Sequence, residues 1–382
     1  MRLHQVNLIR KYKFELFGAA IWLLSIASKY KFNGLVFGFD YGNYQPDGKF
    51  YTYMALDFIH HNPTQSAQQV VDWYLSHGFK MNTFTIQDLM PDTSYAYPVI
   101  SHRILYPLLS VPFVAIFGIP GMLAVPALSL LALFIAIQRL ANKFNKPLLG
   151  VAMVTVFSFS STVTRWMFVN CTDALLVGLF AFAPAVLISL NQRKRWAPYA
   201  LLLLVALTSA TRFVLPFWLA IFLVLFFREK RYLRELLFMG FASVASIPAL
   251  KAQLSTALLP GEVEISTFQK IVKTPIVLLK VIGIDFLEFA VLDRVFLVVM
   301  LFSLLQAIRL RKMLSSQLFI AVLSAGYLIG TINGTLGVNF RYQMPVLIFV
   351  AWLITDSINI QAKGLRLSSS SEGYVVINEA QQ

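Results

Sequence analysis

Apolar stretches of roughly 15 to 20 residues recur along this chain from Leu16 onward, and short basic segments separate them. A helix of about 20 apolar residues is long enough to cross the hydrocarbon core of a bilayer. Hydrophobic residues make up 58% of the 382 residues and charged residues only 13%, about half the charged share of an ordinary globular domain. The sequence therefore predicts an all-α integral membrane protein with many transmembrane helices.

The formal net charge is +14, which by itself could indicate a nucleic-acid partner. The cations, however, are not gathered into one patch. They fall in short runs between the apolar stretches, at 10–13, 139–146, 193–195, 228–234 and 309–312. Alternation of this kind is the positive-inside pattern that orients membrane proteins. It favours the lipid bilayer as the partner and argues against nucleic acid.

We predict about ten transmembrane helices, with both termini cytoplasmic and a bacterial inner (plasma) membrane as the location. The predicted spans are 16–28, 121–138, 148–164, 174–190, 197–210, 213–227, 236–250, 295–308, 317–332 and a last one from residue 344 onward. Residues 1–360 are expected to form a single polytopic membrane domain. The Ser-rich segment 361–382 is expected to be a disordered cytoplasmic tail. Residues 273–291 are ambiguous, because Lys280, Asp285 and Glu288 make them a poor span and a fair surface helix.

Residues 29–103 are rich in Tyr, Asp, Asn and His, and we predict that they form a large first external (periplasmic) loop. Within this loop, 62–78 is expected to be a helix that begins at Pro63 and ends at Gly78. The next segment, 104–119, is interrupted by prolines. Two full spans over 104–139 would place the cations at 139–146 outside, so we predict a juxtamembrane helix for 104–119.

The stretch YQPDGKFYTYMA (44–55) interrupts the apolar pattern. A helix that begins near Gly48 would place Tyr51, Ala55 and Phe58 on one face, with Asp47 just before its N-terminus. Helix N-terminal amides favour an ionised carboxylate there, and such a group can accept a proton from a hydroxyl. Pro-Asp-Gly is also typical of a simple turn, so both interpretations stay open at this point.

Three further segments strengthen one resemblance. They are SHRILYPLL (101–109), RWMFVNCTDALLVGLFAF (165–182) and NFRYQMPVLIF (339–349). Together with Asp47, Tyr51 and Ala55, the chain resembles the GT-C glycosyltransferases, in particular the protein O-mannosyltransferase and aminoarabinose transferase type. It differs from many of them at Gly48, where they carry Glu. The resemblance implies a GT-C-like fold and a polyprenyl-phosphate-linked sugar as donor. It also implies a glycan, lipid or protein acceptor on the non-cytoplasmic face.

The resemblance also implies roles for single residues. Asp47 corresponds to the catalytic base of the first external loop, and Asp40 is the competing candidate. The expected substrate-binding residues are Tyr51, His102, Arg103, Asp173, Arg212, Arg341 and Tyr342. No cofactor is implied. A divalent metal is not indicated either, because the histidines are scattered and no metal-binding spacing occurs.

A lipid phosphate requires cations at the outer interface. Arg103, Arg165, Arg212 and Arg341 all fall at predicted external ends of spans, and the planar guanidinium suits phosphate. Each of them could instead be an interface anchor whose charged end reaches water. Asp173 could pair with such an arginine.

Two other functions remain open. A lipid-linked glycan polymerase or ligase would also have many spans, but it is expected to need a basic outer loop. Here residues 29–103 contain more acids than Lys and Arg. A transporter would place ionisable residues in mid-membrane and would often show internal repeats. No repeat is found in the sequence.

Overall fold

The computed structural model describes residues 13–27, 46–76, 85–94, 97–230, 232–254, 267–332 and 340–360. Within these ranges the regular secondary structure is helical, and no residue there lies in a strand. The predicted all-α class is therefore confirmed for this part of the chain. Asp40 and the predicted tail 361–382 lie outside the described residues.

The helices follow one another with short connections. The first group is α1 (13–27), α2 (Pro46–His60), α3 (Pro63–Ser76), α4 (Ile86–Leu89), α5 (Tyr97–Ile100), α6 (Leu105–Phe117), α7 (Ala124–Lys143), α8 (Pro147–Phe159) and α9 (Ser161–Met167). The second group is α10 (Thr172–Phe180), α11 (Ala183–Asn191), α12 (Ala197–Ser209), α13 (Leu215–Glu229), α14 (Tyr232–Ala245), α15 (Ile247–Leu254), α16 (Thr267–Leu292), α17 (Arg294–Arg309), α18 (Leu314–Ile332) and α19 (Met344–Ile360). A 3₁₀ helix at Ile119–Leu123 leads directly into α7.

Three helical segments of the described chain are long and apolar enough to cross a membrane. They are Ile119–Lys143, Thr172–Asn191 and Leu314–Thr331. A fourth is possible if the bent pair α8 and α9 counts as one span. These helices support membrane association, but they do not reach the ten spans that the sequence predicts. Several predicted spans are shorter helices, such as Leu105–Phe117, Ala197–Ser209 and Met344–Ile360. Helix α16 is also not among the candidates.

The predicted span 148–164 is instead two helices that meet at 72°. The backbone of Ser160 is extended, and its hydroxyl oxygen accepts a hydrogen bond from the Val163 amide, which caps α9. Asp293 stabilises the bend from outside, because one of its carboxylate oxygens accepts from the Ser160 hydroxyl at 2.5 Å and from the Thr162 amide at 3.1 Å. An apolar run therefore contains a sharp corner.

The described part of the predicted external loop has a hydrophobic core of its own. Helices α2, α3 and α6 pack together, and α6 reverses into the 3₁₀ helix that precedes α7. The reversal needs a glycine, because a Cβ at Gly121 would lie 2.2 Å from the Phe113 carbonyl oxygen. Helix α6 covers nearly the predicted juxtamembrane segment. The polar stretch is thus a packed helical layer next to the candidate spans.

Candidate functional site

Helix α2 begins two residues earlier than predicted, at Pro46, so Asp47 lies in its first turn. The side chain of Asn170, in the connection between α9 and α10, fixes this end of the helix. Its Nδ2 donates to the Gly48 carbonyl at 3.1 Å and to the Thr52 hydroxyl at 2.9 Å. Its Oδ1 accepts from the Tyr106 hydroxyl at 2.8 Å. One amide thus ties α2, α6 and the start of α10 together.

Asp47 contacts two arginines that are distant in sequence. Nη1 of Arg103 lies 3.0 Å from Oδ2 of Asp47, and Nη2 of Arg341 lies 3.4 Å from the same oxygen. Nη1 of Arg103 also donates to the Tyr51 hydroxyl at 2.9 Å. Burial raises the pKa of Tyr51 to about 12, although Arg103 opposes the shift, so the phenol is neutral near pH 7. The α2 face predicted from the sequence therefore meets the segment before α6.

Asp173 forms the second half of the site. Its Oδ1 accepts a short hydrogen bond from Nη1 of Arg212, and Nε and Nη2 of Arg341 each lie 2.9 Å from its Oδ2. Arg341 is therefore shared between Asp47 and Asp173. We call the five residues Asp47, Arg103, Asp173, Arg212 and Arg341 the Arg–Asp cluster.

Two aromatic rings cover the inner guanidinium groups. The Tyr342 ring lies 4.3 Å from the Arg212 guanidinium carbon, and the Trp166 ring lies 4.9 Å from that of Arg341. Cation–π contacts of this kind stabilise a charge that is removed from water. They also fix the planes of the two guanidinium groups, so the positions of the donors are set in advance.

The Arg–Asp cluster opens at one edge only. The Asp47 side chain is 21% exposed, whereas the other four side chains are between 2% and 9% exposed. Three guanidinium groups face two carboxylates, which leaves one positive charge in a largely buried site. Burial alone would raise the pKa of Asp47, but Arg103 and Arg341 outweigh it and hold the pKa below its ordinary value. Asp47 is therefore ionised at neutral pH and is a weak base while both arginines hold it.

A hydrophobic cavity of about 230 Å³ lies between α6, α7 and α10. Leu109 of α6, Leu128 of α7, and Leu175 and Leu179 of α10 are among its lining residues. Leu175 and Leu179 follow Asp173 on the same helix by about 3 and 9 Å along the axis, at 1.5 Å per residue. The apolar cavity is thus close to the inner end of the Arg–Asp cluster.

The structure brings together most of the residues predicted for the site. Asp47, Tyr51, Arg103, Asp173, Arg212, Arg341 and Tyr342 are joined by the contacts above. His102 is half-buried and adjacent to Arg103 in the chain, while Asp40 lies outside the described residues. Arg165 does not join the cluster, because its Nη1 pairs with Glu288 at 3.0 Å.

Sequence reasoning did not assign Asn170 and Trp166 to the site. A signal for Asn170 was present, since a lone Asn in an apolar stretch needs buried hydrogen-bond partners. Trp166 carries no such signal, because a tryptophan in an apolar stretch is equally expected in a core. Its contact with Arg341 follows from the α8–α9 corner, which the sequence did not predict.

No group of three or more His, Cys, Asp or Glu side chains that could hold a metal ion is found in the part of the chain that the structure describes. Comparison of the whole chain with family models, curated proteins and solved structures gives no match. The case for a function therefore depends on the geometry of the Arg–Asp cluster and on the chemistry of its residues.

Proposed function

We propose that this protein is an integral membrane glycosyltransferase of the GT-C type. It transfers a sugar from a polyprenyl-phosphate donor to an acceptor hydroxyl on a glycan, lipid or protein. The reaction takes place on the non-cytoplasmic face of a bacterial plasma membrane, and both termini of the protein are cytoplasmic. The observation that carries the proposal is the buried Arg–Asp cluster, which has an excess positive charge and one open edge.

The donor phosphate binds at the open edge, to Arg103 and Arg341. Both guanidinium groups already lie in a site with little water, so an anion gains charge-assisted hydrogen bonds at a small further desolvation cost. The excess positive charge of the cluster favours one anionic group. The first isoprene units then occupy the apolar cavity between α6, α7 and α10, within reach of the same cluster.

Donor binding also changes Asp47. The phosphate competes with this carboxylate for the guanidinium donors of Arg103 and Arg341. Loss of these partners raises the pKa of Asp47 toward its ordinary value, because the two arginines are what hold it low. Asp47 therefore becomes a stronger base when the donor is in place, and it stays a weak base when the site is empty.

The chemical step is a single displacement. Asp47 takes the proton from the acceptor hydroxyl, whose oxygen attacks the anomeric carbon. The bond from that carbon to the phosphate oxygen breaks, and the electron pair leaves with polyprenyl phosphate. Arg103 and Arg341 stabilise the growing negative charge on the leaving group. The configuration at the anomeric carbon is therefore inverted.

The decisive variant is Asp47→Asn, which keeps the shape of the side chain but cannot accept the proton. With a panel of polyprenyl-phosphate sugars and protein in lipid nanodiscs, we expect turnover to fall by roughly 10² to 10⁴. Donor binding is expected to be retained or tightened, because the site loses a competing negative charge. The thermal midpoint is expected to change little.

Asp72→Asn serves as the matched control, because Asp72 is an exposed carboxylate on α3. Asp72→Asn is expected to turn over the donor like the wild type. Full activity of a folded Asp47→Asn variant would exclude Asp47 as the base. If the wild-type protein releases no polyprenyl phosphate from any donor in the panel, the proposed function itself is wrong.

A further inference from the structure

A second cavity, of about 360 Å³, lies between α13 and α18 and is far in sequence from Asp47. We propose that this cleft binds an anionic phospholipid, with the phosphate held at Arg228 and the 311–312 loop and an acyl chain along α13. The inference is independent of the glycosyltransferase proposal, since no residue of the Arg–Asp cluster lines the cleft.

The walls of the cleft suit an acyl chain. Leu223, Val224 and Phe227 of α13 line it, and the Leu223 and Phe227 side chains are 46% and 74% exposed. These two residues are one helical turn apart, so their side chains form a continuous apolar strip on one face. Exposed apolar side chains of this size are expected to contact lipid in a membrane protein.

The mouth of the cleft suits a phosphate. Nη1 of Arg228 donates to the Lys312 carbonyl at 2.7 Å and to Oε1 of Gln317 at 3.3 Å. Nε2 of Gln317 donates in turn to the Arg311 carbonyl at 3.2 Å. These bonds hold the loop between α17 and α18 against the end of α13. Three cations, Arg228, Arg311 and Lys312, are thereby brought to one place.

Their charge is not neutralised within the protein. No salt bridge among the described residues involves Arg228, Arg311 or Lys312. Glu229, the acid that follows Arg228, pairs with Arg234 at 2.7 Å, and Asp356 accepts a hydrogen bond from Ser315. Among the described residues no acceptor is bonded to Nε or Nη2 of Arg228, so both remain as donors for a ligand.

The position of the cleft decides between a lipid and a free anion. Helix α18 is a candidate transmembrane helix, and its N-terminal turn, where Gln317 lies, is at the cationic mouth. Lipid headgroups lie at the ends of such helices, and basic residues there attract anionic lipids. The positive end of the α18 dipole adds to this attraction. A free anion would leave the apolar strip of α13 unused.

The test compares three probes on the full-length purified protein in detergent. They are dioleoyl phosphatidylglycerol, dioleoyl phosphatidylcholine and glycerol 3-phosphate, with binding measured by native mass spectrometry and thermal midpoint. We expect phosphatidylglycerol to bind and to raise the midpoint, and the other two to have little effect. Equal binding of the two lipids would overturn the proposal, and so would an equal effect of glycerol 3-phosphate.

Variants assign the effect to the cleft. Arg228→Gln is expected to weaken phosphatidylglycerol binding about fivefold, the effect of about one cation near a headgroup. Leu223→Gln, which changes the apolar wall but no charge, is expected to weaken it as well. Arg193→Gln, at another exposed basic connection, is the control and should have no effect.

Arg228→Lys separates charge from folding. It keeps the cation and is expected to keep the preference for phosphatidylglycerol over phosphatidylcholine. If Arg228→Lys loses this preference as fully as Arg228→Gln, the charge is not what selects the lipid. An unchanged affinity in both Arg228→Gln and Leu223→Gln would place the lipid elsewhere.

Discussion

Arg212 and Arg341 both bind the carboxylate of Asp173, but only Arg341 also reaches Asp47 at the open edge of the cluster. Arg103 contacts Asp47 and not Asp173 among the described contacts. The three arginines therefore differ in role. Arg103 and Arg341 are placed to meet an incoming anion, whereas Arg212 compensates the charge of a buried carboxylate.

This difference predicts opposite effects for two similar substitutions. Arg103→Gln is expected to weaken donor binding by about ten- to hundredfold, the cost of one charge-assisted hydrogen bond. Arg212→Gln is expected to lower the free energy of unfolding by roughly 3 kcal/mol, because Asp173 loses one of its two buried partners. Donor affinity of the folded Arg212→Gln protein is expected to change only a few-fold.

Donor titrations and thermal unfolding of both variants measure these effects, with exposed Arg193→Gln as the control. A stable Arg212→Gln variant that has lost as much donor affinity as Arg103→Gln would place the phosphate on the inner arginine instead.

Much of the Arg–Asp cluster could be predicted at this scale, because buried charges in an apolar chain are few and must find partners. The sequence could not predict which carboxylate each arginine would bind. Asp173 pairs with Arg212 and Arg341, which are close in space only because α10, α12 and the turn before α19 converge. The roles of these residues in catalysis remain predictions.

Close helix packing depends on small residues at single positions. Helices α7 and α10 approach each other at Gly178, where an added Cβ would lie 2.8 Å from the Cβ and 2.9 Å from the Cα of Ser129. Small residues let transmembrane helices come this near. Because α10 carries Asp173 in its first turn, the depth of this contact also sets where that carboxylate lies.

We therefore expect Gly178→Ala to destabilise the protein by about 1–3 kcal/mol, the usual cost of overpacking. Gly240→Ala is the matched control. That glycine is also helical, but nothing lies within 4 Å of an added Cβ, and the change should be neutral or stabilising by roughly 0.5–1 kcal/mol. Thermal unfolding of both variants checks this. Equal midpoints would mean that α7 and α10 can separate without cost.

Helices with clear end signals could be predicted from the sequence, and the α8–α9 corner could not. Prolines and a glycine bracket α6, which was predicted within one residue at its start. The corner at Ser160, in contrast, depends on Asp293, which is 133 residues away. A serine in an apolar run gives no sign of a partner so distant in sequence.

At the scale of the whole molecule, a buried acid joins two distant parts of the chain. Asp285 of α16 is 2% exposed, and its Oδ1 accepts from the Phe340 amide at 3.2 Å. Phe340 has a φ of 60°, which is unusual for a residue with a side chain, and Arg341 follows it directly. Asp285 thus helps to hold the turn that delivers Arg341 to the Arg–Asp cluster.

Burial raises the pKa of Asp285 from 3.8 to about 6, although hydrogen bonds from the Phe340 amide and the Tyr327 hydroxyl oppose the shift. The folded state therefore holds this proton more tightly than the unfolded state does. Stability from this group is full below pH 4 and is lost as pH rises from about 4 to about 6. The loss is about 3 kcal/mol at most.

Asp285→Asn removes this titration and can still accept from the Phe340 amide. We expect the thermal midpoint of the variant to gain on that of the wild type between pH 4 and 6, with no further gain above pH 6. Unfolding scans at several pH values measure the difference, with exposed Asp72→Asn for comparison. A midpoint difference that narrows with rising pH would show that the ionised carboxylate is the stabilising form.

The number of membrane spans was the least predictable feature of the molecule. Apolar composition identifies segments that avoid water, but it does not distinguish a full span from a short helix buried against other helices. Helix α12 has 13 residues, about 20 Å of helix at 1.5 Å per residue, which is less than the hydrocarbon thickness. Helix length depends on where each chain reversal falls, and packing partners set several of those reversals.

The burial of Cys171 has a practical consequence. This residue is the sole cysteine of the chain, and its side chain is fully enclosed between the helical layer and the candidate spans. Maleimides react with exposed thiolates, so the folded wild-type protein is silent toward them. A cysteine introduced into any exposed connection would then be the single reactive thiol. Its labelling from one side or the other would report the orientation of that connection without first replacing a native residue.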